Sequence, residues 1–251
     1  MRLIEDLIEN LKNQISELEQ TAQDLYNYWF VQFDFPDENG KPYRSSGGKM
    51  VWNEELKQEI PKGWFAARIG DFFKVTMGQS PNGSYINETG DGIPFYQGAT
   101  DFQKLFPSIC SYATSYSREA KASDLLLSVR APVGRWNIAF TDCAIGRGLS
   151  AITPDKGGLF FLVGVIKTLG NVLDRMNSNG TTYVAINAPA LKSLQFTCPP
   201  DEVLICFKQM TERAAEQIFT CVSTLRELLE LKNTLMPLLL NGQAYIGESR
   251  S

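Results

Sequence analysis

The chain has 251 residues, a formal net charge of −4 and no histidine. Hydrophobic residues make up 43% and charged residues 21%, the balance of an ordinary globular protein. The missing imidazole excludes every His-based triad, imidazole metal site and imidazole acid–base mechanism. No apolar run approaches the roughly 18 residues that a bilayer span requires.

The five cysteines, Cys110, Cys143, Cys198, Cys206 and Cys221, form an odd set without a Cys-x-x-Cys pair. They predict free thiols in a reducing cytoplasm, not disulfides or a zinc cage. Glu5 and Asp6 come too early for a signal peptide, so a cytoplasmic location is expected. Charge is unevenly spread: residues 1–60 carry −6, residues 61–200 carry +4 and residues 201–251 carry −2. A basic middle between acidic flanks suits a domain that meets a polyanion while its flanks meet protein.

Residues 1–30 predict a long helix. Ile4, Ile8, Leu11, Ile15, Leu18, Ala22, Leu25 and Trp29 alternate steps of four and three, which is a heptad seam. A helix with one apolar stripe must bury it against another helix. The partner is expected at 201–242. There Asp201 can cap a helix after Pro199-Pro200, and Ile218, Leu225, Leu228 and Leu235 supply the matching seam. Phe207, Met210, Ala214, Cys221 and Leu231 extend it less regularly, and Pro237 should kink or end the helix near its last turn.

Between the helices, residues 31–60 read as an ordered but irregular connector, because Asn39-Gly40 and Gly47-Gly48 punctuate them. From 61 to 200 short apolar runs alternate with turns. Expected strands are Lys74–Met77, Ile93–Gln97, Asp124–Val129, Trp136–Phe140, Leu149–Ile152 and Leu194–Cys198. Helical stretches are expected at Ala66–Phe72, Leu159–Met176 and Ala188–Leu194, and residues 243–251 form a tail. The fold class is therefore α+β: one mixed α/β domain flanked by two long helices that form an antiparallel coiled-coil arm.

No catalytic motif survives inspection. Gly78-Gln-Ser-Pro-Asn-Gly83 lacks the lysine of a phosphate-gripping loop, and no glycine-rich dinucleotide fingerprint follows a strand. Pro199-Pro200 lacks the flanking residues of an amino-group methylation motif, and no two carboxylates are tied into an acid–base pair. Catalytic residues, metal ligands and cofactors are all expected to be none.

What recurs instead is a loop composition suited to DNA. Gln79, Ser80, Asn82 and Tyr85 share one loop, and Gln97 and Thr100 follow a strand. Arg130, Arg135 and Trp136 lie on the tip of "LLLSVRAPVGRWNIAF", Arg147 sits between two glycines, and Thr181, Thr182 and Tyr183 form a further group. Arg, Asn, Gln, Ser and Thr can hydrogen-bond base edges, Arg also pairs with phosphates, and neighbouring glycines let backbone approach a ligand. Singly, each residue equally suits a solvated turn or a hairpin; Trp136 suits a half-buried strand position. Together, on the one basic segment, they favour DNA contact.

Three blocks resemble the specificity subunits of type I restriction-modification enzymes. "LYNYWFVQFDFPDENGKPYRSSGGKMVWNEELKQEIPKGW" is similar to that family's central conserved region leading into a target-recognition domain. "GDGIPFYQGATDF" with "SDLLLSVRAPVGRWNIAF" resembles the domain's interior strands and Arg-containing turn, and "NSNGTTYVAINAPALKSLQFTCPP" resembles its exit into the distal helix. The resemblance departs at Asp201-Glu202-Val203-Leu204-Ile205, which lacks a glutamine that members commonly carry there. It implies one target-recognition domain at 61–200, reading half of a split double-stranded DNA site. It also implies helices that dock adenine methyltransferase subunits, a possible restriction subunit, and either a carboxyl-terminal fragment of a longer subunit or a half-length chain that homodimerises through its arms. Alternatives left open are a specificity module of another bipartite restriction–methylation system, and a coiled-coil module that binds protein.

Overall fold

A computed structural model describes residues 2–178 and 185–240. The first helix, α1 (Arg2–Tyr26), passes into a single wide π-type turn at Asn27–Val31, which buries Trp29 and Phe30. The connector is less irregular than its glycines suggest, because it holds a hairpin of β1 (Met50–Asn53) and β2 (Gln58–Pro61). Asp34 pins the segment before that hairpin: its two carboxylate oxygens accept the Ser45 backbone N–H at 2.7 Å and the Ser45 hydroxyl at 2.5 Å. Those bonds, the hydroxyl's first, hold the Asp34 carboxyl below the usual carboxylate range.

β3 (Phe65–Arg68) leads into one turn of helix, α2 (Ile69–Phe72), and then β4 (Lys74–Met77). β5 (Ile86–Asn87), β6 (Ile93–Tyr96), β7 (Tyr112–Ala113) and β8 (Glu119–Ala120) follow as short strands. β9 (Leu125–Ser128), β10 (Trp136–Ile138), β11 (Cys143–Ile145) and β12 (Leu149–Thr153) form the most buried part of the chain. α3 (Gly158–Thr168), α4 (Gly170–Ser178) and α5 (Ala188–Lys192) precede β13 (Gln195–Cys198) and the long α6 (Asp201–Leu240).

These strands make two main sheets. One is antiparallel in the order β10-β9-β12-β4; the other runs β5-β7-β6-β11-β8, with β11 parallel to β6. β13 pairs antiparallel with β3, Cys198 opposite Phe65, so the last strand of the domain returns to the first. The leucines of β9 are buried because β10 and β12 flank its edges, α3 packs on it, and Leu126 joins a core with Tyr96 and Ile145 of the other sheet. α3 is apolar on every side from Phe160 to Ile166, the stretch that is buried, and turns polar only at exposed Lys167 and Thr168. Asn137, wholly buried, is satisfied by Gln103: it accepts the Gln103 N–H at 3.0 Å and donates to the Gln103 carbonyl at 2.9 Å.

The chain divides into two compact units, α1 through Asp24 with α6 from Glu212 onward, and Leu25–Thr211. In the first unit the helices are antiparallel: Lys232 Nζ meets Glu5 Oε1 at 2.9 Å, and Cys221 Sγ approaches Gln14 Oε1 at 3.7 Å. That register sets Ile8 level with Leu228, Leu11 with Leu225, and Leu18 with Ile218. Ile8, Ile15 and Ile218 are buried, while Ile4, Leu11, Leu18, Leu225, Leu228 and Leu235 are half-buried. Met210 and Leu231 remain exposed, which is the irregularity of the second seam.

In the second unit an aromatic knot forms around the π-type turn. Tyr26 lies 5.0 Å from Phe30 between ring centroids, and Phe30 lies 4.8 Å from Phe207 and 5.1 Å from Phe161. Phe33, Phe35 and Trp64 continue the cluster. Burial pushes the Tyr26 hydroxyl well above its ordinary range.

Three expectations need correction. Ala66–Phe72 is a strand followed by one helical turn, because pairing with β13 overrides alanine's helix preference. The stretch expected as one helix over Leu159–Met176 is broken at Leu169 into α3 and α4. Leu25 and Trp29 belong to the domain rather than the arm; Trp29 packs on Phe30 and Phe207 because the π-type turn moves it off the heptad phase. Pro237, expected near the last turn of this helix, lies within α6 three residues before its end at Leu240. A proline so near a helix end forfeits only hydrogen bonds of the last turns.

Candidate nucleic-acid interface

Four loops meet at one edge of the domain because of how their strands pair. The parallel pairing of β6 with β11 sets Tyr96 beside Ile145, so the loops that follow both strands emerge together. Gly146 N–H donates to the Tyr96 carbonyl at 2.8 Å and Gly148 N–H to the Gln97 carbonyl at 3.1 Å. The loop after β4 joins them through the Gln79 N–H, which donates to the Ile145 carbonyl at 2.9 Å. Val129 N–H donates to the Gly148 carbonyl at 2.9 Å, bringing the tip after β9 alongside. These approaches need glycine: a Cβ on Gly78 would stand 2.1 Å from the Gly146 carbonyl oxygen, and one on Gly148 would stand 2.5 Å from the Gln97 oxygen.

The loops enclose an open cleft of about 350 Å³, lined by Gln97, Thr100, Ser128, Arg130, Pro132 and Gly148 among others. Its rim is tied by side chains. Ser80 Oγ donates to Gln97 Oε1 at 2.9 Å and accepts the Arg147 backbone N–H at 3.3 Å. Ser128 Oγ donates to the Arg130 carbonyl at 2.8 Å. Arg130, Arg135 and Arg147 are exposed, and none has a carboxylate within ion-pairing distance among the described residues. The tip bends at Gly134, whose φ of +88° favours glycine.

The structure thus brings together Gln79, Ser80, Gln97, Thr100, Arg130 and Arg147. It does not bring Asn82, Tyr85, Arg135 or Trp136 to the same cleft. Asn82 caps the short 3-10 turn Gly83–Tyr85, accepting the Ser84 N–H at 3.1 Å, and the Tyr85 carbonyl accepts the Thr114 N–H at 3.0 Å beside β5. The Arg135 carbonyl accepts the Ser128 N–H at 2.7 Å within the hairpin. Trp136 is a half-buried strand residue with the Lys167 ammonium 5.4 Å from its ring centre, so its face is already occupied. Thr181, Thr182 and Tyr183 lie outside the described residues, although Ala185 returns to form a bridge with Arg130.

Sequence reasoning missed Ser128 and Pro132 as cleft residues. Ser128 was legible as the one polar residue closing a leucine run, whereas Pro132 carried no signal beyond its turn. A second cleft of about 370 Å³, lined by Glu55, Phe65, Arg68, Asp71 and Phe72, contains no predicted residue. Among the described residues no helix is long and apolar enough to cross a membrane.

A mixed α/β domain with long helices before and after it in the chain is also the fold of solved type I S subunits. The S subunit of a type I system from M. genitalium shares this fold at a TM-score of 0.60, with 15% identity over 93% of this chain and 57% of that one. The chain belongs to the type I restriction modification DNA specificity domain family, whose model matches residues 61–237.

It is 32% identical over 194 residues to a protein named as the MjaX type I restriction enzyme specificity subunit of Methanocaldococcus jannaschii, covering 75% of this chain and 45% of that protein. The HsdS subunit of Thermoanaerobacter tengcongensis is similar in structure, with 28% identity, a TM-score of 0.55, and coverage of 94% of this chain and 56% of that one. The chain therefore spans about half the length of the relatives it matches.

Proposed function

We propose that this chain reads one half of a split DNA site for a type I restriction-modification complex, and that residues 61–200 are its target-recognition domain. The carrying observation is the cleft. Loops distant in sequence converge there, their glycines admit close approach, and Arg130 and Arg147 stand without carboxylate partners on the basic segment of an acidic chain. Arginine so placed pairs with phosphate or reads guanine, while the Gln and Thr side chains suit base edges. The chain does no chemistry itself; adenine methyltransferase subunits, held through α1 and α6, supply it. Support for that division is the absence of a catalytic motif from the sequence together with the family's name for its members as specificity domains.

Because the chain spans about half of its relatives, a two-fold homodimer through the helical arms would restore two reading domains. Selection from a random duplex DNA pool, with a type I adenine methyltransferase subunit that the chain binds present, tests the reading. A split palindrome supports one reading domain per half-site in a dimer. A single half-site instead supports action as part of a longer subunit. Absence of any enrichment at low salt overturns the reading in favour of a protein-binding module.

A further inference from the structure

The cleft residue whose chemistry is most constrained is Gln97. A free glutamine can read adenine with both ends of its amide, accepting from N6–H2 and donating to N7. Here the oxygen end is already engaged. Ser80 Oγ accepts the Arg147 N–H, which leaves the hydroxyl hydrogen to be donated, and it goes to Gln97 Oε1 at 2.9 Å. Behind the same oxygen stands Gly146, close enough that a Cβ there would come within 2.5 Å of Oε1. Oε1 is thus covered by Ser80 on one side and by the Gly146 backbone on another. The amide is planar, so Nε2 points away from that wall. Gln97 is exposed, and Nε2 makes no hydrogen bond among the described residues.

The residue's backbone is equally fixed. The Gln97 carbonyl accepts the Gly148 N–H, and Gly148 lies too close to that carbonyl for any side chain. A side chain held at its backbone and at its oxygen presents one thing outward, a pair of N–H donors. Chains of hydrogen bonds polarise one another, so the Arg147 N–H to Ser80 to Gln97 relay strengthens those donors.

We propose that Gln97 is a specificity-determining residue that reads the acceptor that distinguishes these bases from adenine in the major groove, guanine O6 or thymine O4, and that Ser80 is the positioning residue that denies it adenine. On adenine, the N6–H2 donors would meet an amide with no acceptor to offer. This rests on the DNA-reading function proposed above and adds the class of base that one position of the half-site accepts.

The test is selection from the random duplex pool, with the methyltransferase present, of the wild-type chain, Gln97→Glu and Ser80→Ala. Glutamate offers only acceptors, so Gln97→Glu should convert one position from guanine or thymine to cytosine or adenine, with a preference of roughly tenfold or more, the scale of a single base contact. Ser80→Ala frees the amide to turn and should admit adenine at that same position while the rest of the site is kept. The retained positions show that each variant folds and binds. Adenine at the position that responds to Gln97→Glu in the wild-type site, or a site unchanged by both substitutions, overturns the assignment. If the wild-type chain enriches nothing, the DNA-reading function itself falls and this inference falls with it.

Discussion

Gly164→Ala puts the aromatic knot to a quantitative test. Replacing a glycine inside a helix with alanine ordinarily stabilises by about 0.5–1 kcal/mol. Gly164 is buried in α3, and a Cβ built there would stand 2.2 Å from Tyr26 Cδ2 and 2.3 Å from Cε2. Neither partner can yield cheaply. The α3 backbone is enclosed, and the Tyr26 ring, 5% exposed, is held against Phe30, Phe161 and Phe207. Overpacking of this kind costs about 1–3 kcal/mol, and so close an approach belongs at the upper end.

The net expectation is a loss of about 2 kcal/mol, or a fall in Tm of about 4–8 °C for a chain of this size. Thermal and urea unfolding followed by circular dichroism would measure it. Gly170→Ala is the control, because no atom lies within 4 Å of its Cβ position at the start of α4, and it should stay within about 0.5 kcal/mol of wild type. Combining Gly164→Ala with Tyr26→Leu should cost less than the two separately, by about 1 kcal/mol. A Gly164→Ala variant as stable as wild type would refute the packing argument.

Three further outcomes are expected. Arg130→Ala and Arg147→Ala should each flatten the slope of log affinity against log salt by about 0.9 where the arginine holds a phosphate, read by fluorescence anisotropy on a selected duplex; unchanged slope and affinity in both would remove the arginines from the interface. The Asp34 carboxyl is held low by Ser45, so its contribution to stability is present above the ordinary carboxylate pKa and is lost as pH falls through its lowered value. Urea midpoints between about pH 6 and pH 3 should therefore decline less steeply in Asp34→Asn than in wild type, and equal slopes would refute the linkage. Cys143 and Cys198 are buried, with thiols pushed up to about 12, so iodoacetamide at neutral pH should spare them while labelling exposed Cys206; rapid labelling of Cys143 in the native protein would contradict its burial.

The strands that were legible in the sequence were those whose own side chains explain their burial. Lys74–Met77 alternates, and Leu125–Ser128 is a leucine run between turns. Phe65–Arg68 was hidden because its strand character comes from a partner 130 residues away, and the three residues of β11 carry too little pattern to stand out. The cleft was half legible. Residue type singled out Gln97, Ser80, Arg130 and Arg147, but only the parallel β6–β11 pairing sets them side by side. Asn82 and Tyr85 had the right chemistry in the wrong place, since a capping role in a short turn uses the same side chains that a base contact would.

The return of β13 to β3 has a genetic consequence. With Phe65 opposite Cys198, the polypeptide enters and leaves the α/β body through one pair of strands, as an inserted domain does. A recombination event that exchanged the DNA between those two strands would replace every loop of the cleft in one step. The helices, the hairpin of residues 50–61 and most of the knot would come from the original gene. New readers could then arise by splicing whole cassettes, with no need to rebuild what carries them.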